Sequence, residues 1–170
     1  DMNTTKFLSS HLPSGKQAIW LAAAAIVVLS IFAASIAWIF DHPYARGWDE
    51  ATYINWAYLD INVVDKSGFE GLFDFVFRYH RVVPPAFRLV VLPFTFLFGP
   101  NVVMLRLVSM FFLALALVFV YLAGKCLAGR YAGIFGVVFL VLCPSVIASG
   151  KWYGTEGPLY LAISAMLYFL

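Results

Sequence analysis

Gly47-Trp48-Asp49-Glu50-Ala51-Thr52-Tyr53 sets two carboxylates side by side, a few residues beyond a long apolar segment. A third acid, Glu156, stands between two later apolar runs, and the bases Arg78, Arg81, Arg88, Arg106 and Lys151, with His80, fall in the intervening chain. Carboxylates facing a basic cluster at a lipid interface suit one kind of reaction. An acid accepts a proton from an acceptor hydroxyl while cations stabilise a departing lipid phosphate. The same residues have plainer uses. Asp49 and Glu50 can cap a helix and complement its dipole, and Arg78, Arg81 and Arg88 can snorkel to anionic head groups. His80 reads as a solvated interface residue, and Arg106 as a structural tie to a loop acid.

The elements that must position these residues are set by composition. The chain is 63% hydrophobic and 12% charged, with mean hydropathy +0.88; soluble domains run near half apolar and about a quarter charged. A crossing of roughly 30 Å of hydrocarbon needs about 20 residues, and the chain holds several such runs. The expected class is all-α, a polytopic transmembrane helix bundle forming a single membrane domain of about four spans. The net charge of +2 and the lack of a basic, aromatic-interleaved patch argue against nucleic acid as a partner. Cys126 and Cys143 show no ligand or redox spacing and read as small buried hydrophobes.

In order, residues 1–16 form a polar cytoplasmic N-terminus. Residues 17–40 are an uncharged signal anchor, too long for a cleaved h-region, with Lys6 and Lys16 holding its start inside and Trp38 in an aromatic belt. Residues 41–100 carry seven acids and five bases and form an extracytoplasmic loop. Within it, Asp49 to Val64 and Gly68 to Tyr79 read as amphipathic helices on the membrane surface. Ala86 to Phe98, broken by Arg88 and Pro93, is short for a span and reads as re-entrant or interfacial. A true span from Val82 is the alternative, and it would invert everything downstream. Residues 101–124 are span 2, and Lys125 and Arg130 mark a cytoplasmic turn. Residues 131–147 are span 3, kinked near Pro144, and residues 158–170 begin a fourth, incomplete span. The chain is expected to continue beyond Leu170, or to have that end shielded by a partner. With this topology Asp49, Glu50 and Glu156 share one face of the membrane.

Four short motifs carry a resemblance. Trp48-Asp49-Glu50-Ala51-Thr52-Tyr53 is similar to the Asp-Glu-x-x-Tyr of the first outer loop of GT-C glycosyltransferases, closest to the protein O-mannosyltransferase and lipid A aminoarabinose transferase branch. Arg81-Val82-Val83-Pro84-Pro85 resembles that branch's Lys-Pro-Pro, with two residues between base and prolines where the family has none. Leu97-Phe98-Gly99 followed by Arg106-Leu107-Val108-Ser109 resembles its Phe-Gly and Arg-Leu-x-Ser. Glu156-Gly157-Pro158-Leu159 resembles its Asp-x-Pro-Leu, with Glu where the family more often has Asp. The resemblance implies a membrane enzyme moving a sugar from a polyprenyl-phosphate carrier to an extracytoplasmic acceptor, without a metal or other cofactor. It implies Asp49 as general base with Glu50 beside it, Glu156 as the second acidic position, and Arg81 as donor-phosphate cation. Arg78, His80, Arg88 and Lys151 join Arg81 as candidate substrate-binding residues. Family enzymes are much longer, so this chain matches their N-terminal membrane part. The branch points to a bacterial inner membrane. The competing reading is a non-catalytic membrane subunit that packs on a larger complex. Expected partners are membrane lipids, the lipid-linked sugar and, in the competing reading, other membrane subunits.

Overall fold

The computed structural model describes residues 15–78 and 83–170. Every regular element among them is helical: α1 (Gly15–Asp41), α2 (Trp48–Arg78), α3 (Pro85–Phe98), α4 (Val102–Ala128), α5 (Arg130–Leu142), α6 (Pro144–Lys151) and α7 (Glu156–Phe169). Two helices, α1 and α4, are long and apolar enough to cross a membrane, and α5 with α6 makes a third if the bent pair is one span. The chain therefore reads as a multi-pass membrane protein.

α4 is the central post. Asn101 caps it, its Oδ1 accepting the Met104 N–H at 2.9 Å, and Gly129 closes it at φ 88°. Half of its apolar window is buried, against 6% for α1. The hairpin into α5 is close because two glycines face each other. A Cβ on Gly133 would sit 2.4 Å from the Tyr121 carbonyl oxygen, and one on Gly124 would sit 2.8 Å from the Gly133 Cα. The Gly129/Gly133 pair expected to serve helix packing does so through Gly133. Gly150 then lies against Leu113, which sends α5 and α6 back toward the start of α4. α7 turns again, with Gly157 against Ser109 and Tyr168 and Phe169 against Phe119, so it descends beside α4 in the same direction.

One of two breaks goes further than the sequence expectation. Span 3 is not one kinked helix. α5 and α6 meet at 70° across Cys143, which is extended at φ −79°, ψ 111°. Pro144 lacks an N–H and pushes its predecessor out of the helical region. The two helices expected within 49–79 are both present and meet at a kink inside α2, where Gly68 takes φ 67°, ψ −172°. That conformation is open essentially to glycine alone. α3, with 14 residues, is an apolar helix shorter than a span, and α7 also has 14 residues.

α2 does not lie free on a surface. Glu50, Ile54, Ala57 and Asp60 are buried at spacings of four, three and three, which is a single helix face. Ile54 and Ala57 join Phe87, Val91, Leu105, Val108, Phe112 and Tyr153 in one core cluster. A second cluster joins Ile39 to Met110, Leu113, Leu117, Val141 and Ile147, tying the upper part of α1 to α4, α5 and α6.

Candidate functional site

An inward-facing stripe that begins and ends in a carboxylate must find cations, because an unpaired buried charge is prohibitively costly. Both acids of the stripe, Glu50 and Asp60, do so. Arg106, fully buried on the first turns of α4, donates from Nε to Glu50 Oε1 and from Nη2 to Glu50 Oε2, both at 2.7 Å. The remaining Arg106 donors reach the His42 carbonyl and, at 3.0 Å, the Tyr44 carbonyl. Glu50 also accepts the backbone N–H of Arg46 at 2.9 Å and that of Tyr153 at 3.1 Å. The carboxylate thus joins α2, the α1–α2 connection, α4 and the segment leading into α7. Burial alone would raise the Glu50 pKa. The hydrogen bonds from Arg106, Arg46 and Tyr153, and the Arg106 charge, outweigh it and hold the group below its ordinary range. The tie expected between Arg106 and a loop acid is therefore made to Glu50.

The second pair is Asp60 with Arg88. Arg88 Nε donates to Asp60 Oδ2 at 3.1 Å, Nη2 donates to Oδ1, and Nη1 reaches the Val76 carbonyl at 3.4 Å. The guanidinium lies 4.8 Å from the Trp56 ring centroid and 4.9 Å from that of Phe75. This cross-tie fastens α3 to both halves of α2, one on either side of the Gly68 break. The cleft beside it is lined by Tyr53, Asp60, Phe87, Arg88 and Tyr153 and holds about 10 Å³. That is room for about one water molecule and not for a sugar. Burial first, and then the charge of Asp60, raises the Tyr153 pKa well above the ordinary phenol range, so this ring is a neutral packing group.

The expected site residues separate by environment. Asp49 and Glu156 are exposed and have no ion-pair partner among the described residues. Glu50 accepts from Tyr153, three residues before Glu156, so both acidic segments lie at the Arg106 end of α4. Glu50 and Arg88, expected at the chemistry, are instead spent in buried ion pairs, and Arg78 is paired in the open with Asp74 at 2.6 Å. An exposed pair of that kind contributes little. His80 and Arg81 lie outside the described residues, as do residues 1–14 with Lys6; nothing is described of the Lys16 side chain.

Lys151 has no ion-pair partner among the described residues, and it stands in a group that sequence reasoning did not assemble. Its Nζ is 4.7 Å from the Trp38 ring centroid. The guanidinium carbons of Arg46 and Arg106 lie 5.1 and 5.2 Å from the same centroid. His42 stacks on Trp38 at 4.5 Å, its Nδ1 donating to the Trp38 carbonyl at 2.8 Å. Trp38, His42 and Arg46 were legible only as an interface aromatic and two loop residues. Asp60 had a signal in the sequence, an acid in register with Ile54 and Ala57 on an apolar face. The chain matches no protein-family model, no curated protein and no solved structure.

Proposed function

We propose that this chain is the N-terminal membrane portion of a GT-C-like glycosyltransferase. It transfers a sugar from a polyprenyl-phosphate carrier to an extracytoplasmic acceptor, in a bacterial inner membrane with its N-terminus cytoplasmic. The observation that carries this reading is the divergence of two adjacent acids. Glu50 is saturated by four hydrogen bonds and stays ionised in the interior. Asp49, one residue earlier on the same turn, is exposed and unpaired among the described residues. A general base needs an accessible lone pair and a fixed backbone, and the Glu50 anchor supplies the second without using the first.

In this reading Asp49 takes the proton of the acceptor hydroxyl as its oxygen attacks the sugar's anomeric carbon. The bond to the carrier phosphate breaks, and the phosphate leaves with the electron pair. Glu50 and Arg106 are positioning residues, Glu156 supplies the second acid on the same end, and Arg81 receives the phosphate charge, as the resemblance implies. The test is transfer from a panel of polyprenyl-phosphate sugars in membranes containing the protein. Asp49→Asn should reduce the rate by at least about 100-fold, with the protein still folded. A rate near that of the unaltered protein removes Asp49 as base.

A second reading, a non-catalytic membrane subunit, is favoured by one observation. Both buried ion pairs tie helices together, while α1 leaves Ile19, Trp20, Ile26 and Leu29 exposed along its length. It predicts a stable set of co-purifying membrane proteins and no sugar transfer.

A further inference from the structure

Arg46 and Lys151 both approach the ring of Trp38, and neither has a carboxylate oxygen within 4.0 Å among the described residues. The third cation there, Arg106, is neutralised by Glu50. Two uncompensated positive charges therefore share one indole, at the end of a helix apolar enough to cross a membrane. Cations brought to one ring in this way add their attraction for an anion beside it. Along the chain the nearest acids are Asp49 and Glu50 to Arg46 and Glu156 to Lys151; Asp49 and Glu156 are exposed, Glu50 is held by Arg106, and none forms an ion pair with these two cations.

The three residues come from separate pieces of chain. Trp38 is in the last turn of α1, Arg46 in the connection to α2, and Lys151 ends α6. Below this point α1 is held loosely, with 6% of its apolar window buried. An amphipathic ring at the end of such a helix marks the level of lipid head groups, where basic side chains attract anionic lipid. We propose that Arg46 and Lys151, over Trp38, form a site for the phosphodiester head group of an anionic phospholipid, which fastens α1 to α6. The site is independent of the transferase reading, and it gives Lys151 to a bilayer lipid and not to the sugar donor.

The experiment uses the whole chain in nanodiscs of phosphatidylcholine, with phosphatidylglycerol added in steps. Lipid retained by the protein is read by native mass spectrometry, and unfolding temperature is read in parallel. Phosphatidylglycerol should be retained about tenfold over phosphatidylcholine, with a rise in unfolding temperature, and the preference should weaken as salt is raised. Arg46→Gln with Lys151→Gln should abolish the preference, while Lys66→Gln should leave it intact. If the double variant does not fold, Lys151→Met, which keeps an apolar stem, and the salt titration of the unaltered protein decide the matter. Equal retention of the two lipids overturns the proposal, as does a preference that survives the substitutions. Displacement of phosphatidylglycerol by farnesyl phosphate at a tenfold lower concentration would assign the site to a carrier phosphate instead. Displacement by inorganic phosphate at equal concentration would make it a free-anion site. None of these readouts depends on sugar transfer.

Discussion

Arg106 grips Glu50 through two parallel hydrogen bonds of 2.7 Å, across 56 positions of sequence, with both side chains buried. The geometry is the fork-to-carboxylate match that only arginine makes. It fixes the first turn of α2 to the first turns of α4, and through the Tyr153 N–H it fixes both to the entry of α7. That contact holds the segments carrying Asp49 and Glu156 at the same end of α4.

Breaking one side of the pair should be far worse than losing an exposed ion pair. Arg106→Ala strands an ionised carboxylate, and Glu50→Ala strands a guanidinium. Each should cost about 3–5 kcal/mol, measured by chemical unfolding in detergent. Arg106→Lys should recover little, because an ammonium cannot span both oxygens. Asp74→Ala, which removes the exposed partner of Arg78, should cost about 1 kcal/mol or less.

The same contact makes stability acid-sensitive. The folded-state pKa of Glu50 lies below its ordinary 4.5, so below that value the unfolded chain binds the proton more readily. The stabilisation is fully present above about pH 4.5 and is lost as pH falls through the lower folded pKa. An unfolding-midpoint series from pH 7 downward should be flat at first and then fall. Glu50→Gln should be less stable throughout and lack the part of that fall contributed by this group.

Asp60 and Arg88 should behave as a structural pair. Asp60→Asn and Arg88→Ala should each cost about 3–5 kcal/mol by the same unfolding assay, and together less than the sum of the two, because they share one interaction. Equal and additive losses would mean that the two side chains act separately.

Gly68 and Gly133 test the backbone. Gly68→Ala forces a side chain into a conformation open essentially to glycine and should cost about 1–3 kcal/mol, although nothing crowds the position. Gly133→Ala meets the Tyr121 carbonyl oxygen at 2.4 Å and should push α4 and α5 apart. A cysteine crosslinking yield between the two helices should fall in that variant.

The helices of this protein could be read from its residues taken locally. Apolar length gives α1 and α4, because transfer from water to lipid is a sum over neighbouring side chains. Pro144 marks the α5–α6 break and Gly68 the break in α2, because each acts on its own backbone. What each charge does was not legible this way. Asp49 and Glu50 are chemically near-equivalent neighbours, and so are Arg78 and Arg88 as candidate phosphate cations. Only the packing of α2 against α3 and α4 buries Glu50 and Arg88 and leaves Asp49 in the open. The energy of a charge depends on how far it is removed from water and on what lies within a few ångströms. Those distances, from Glu50 to Arg106 or from Lys151 to Trp38, exist only once segments far apart in the chain have met.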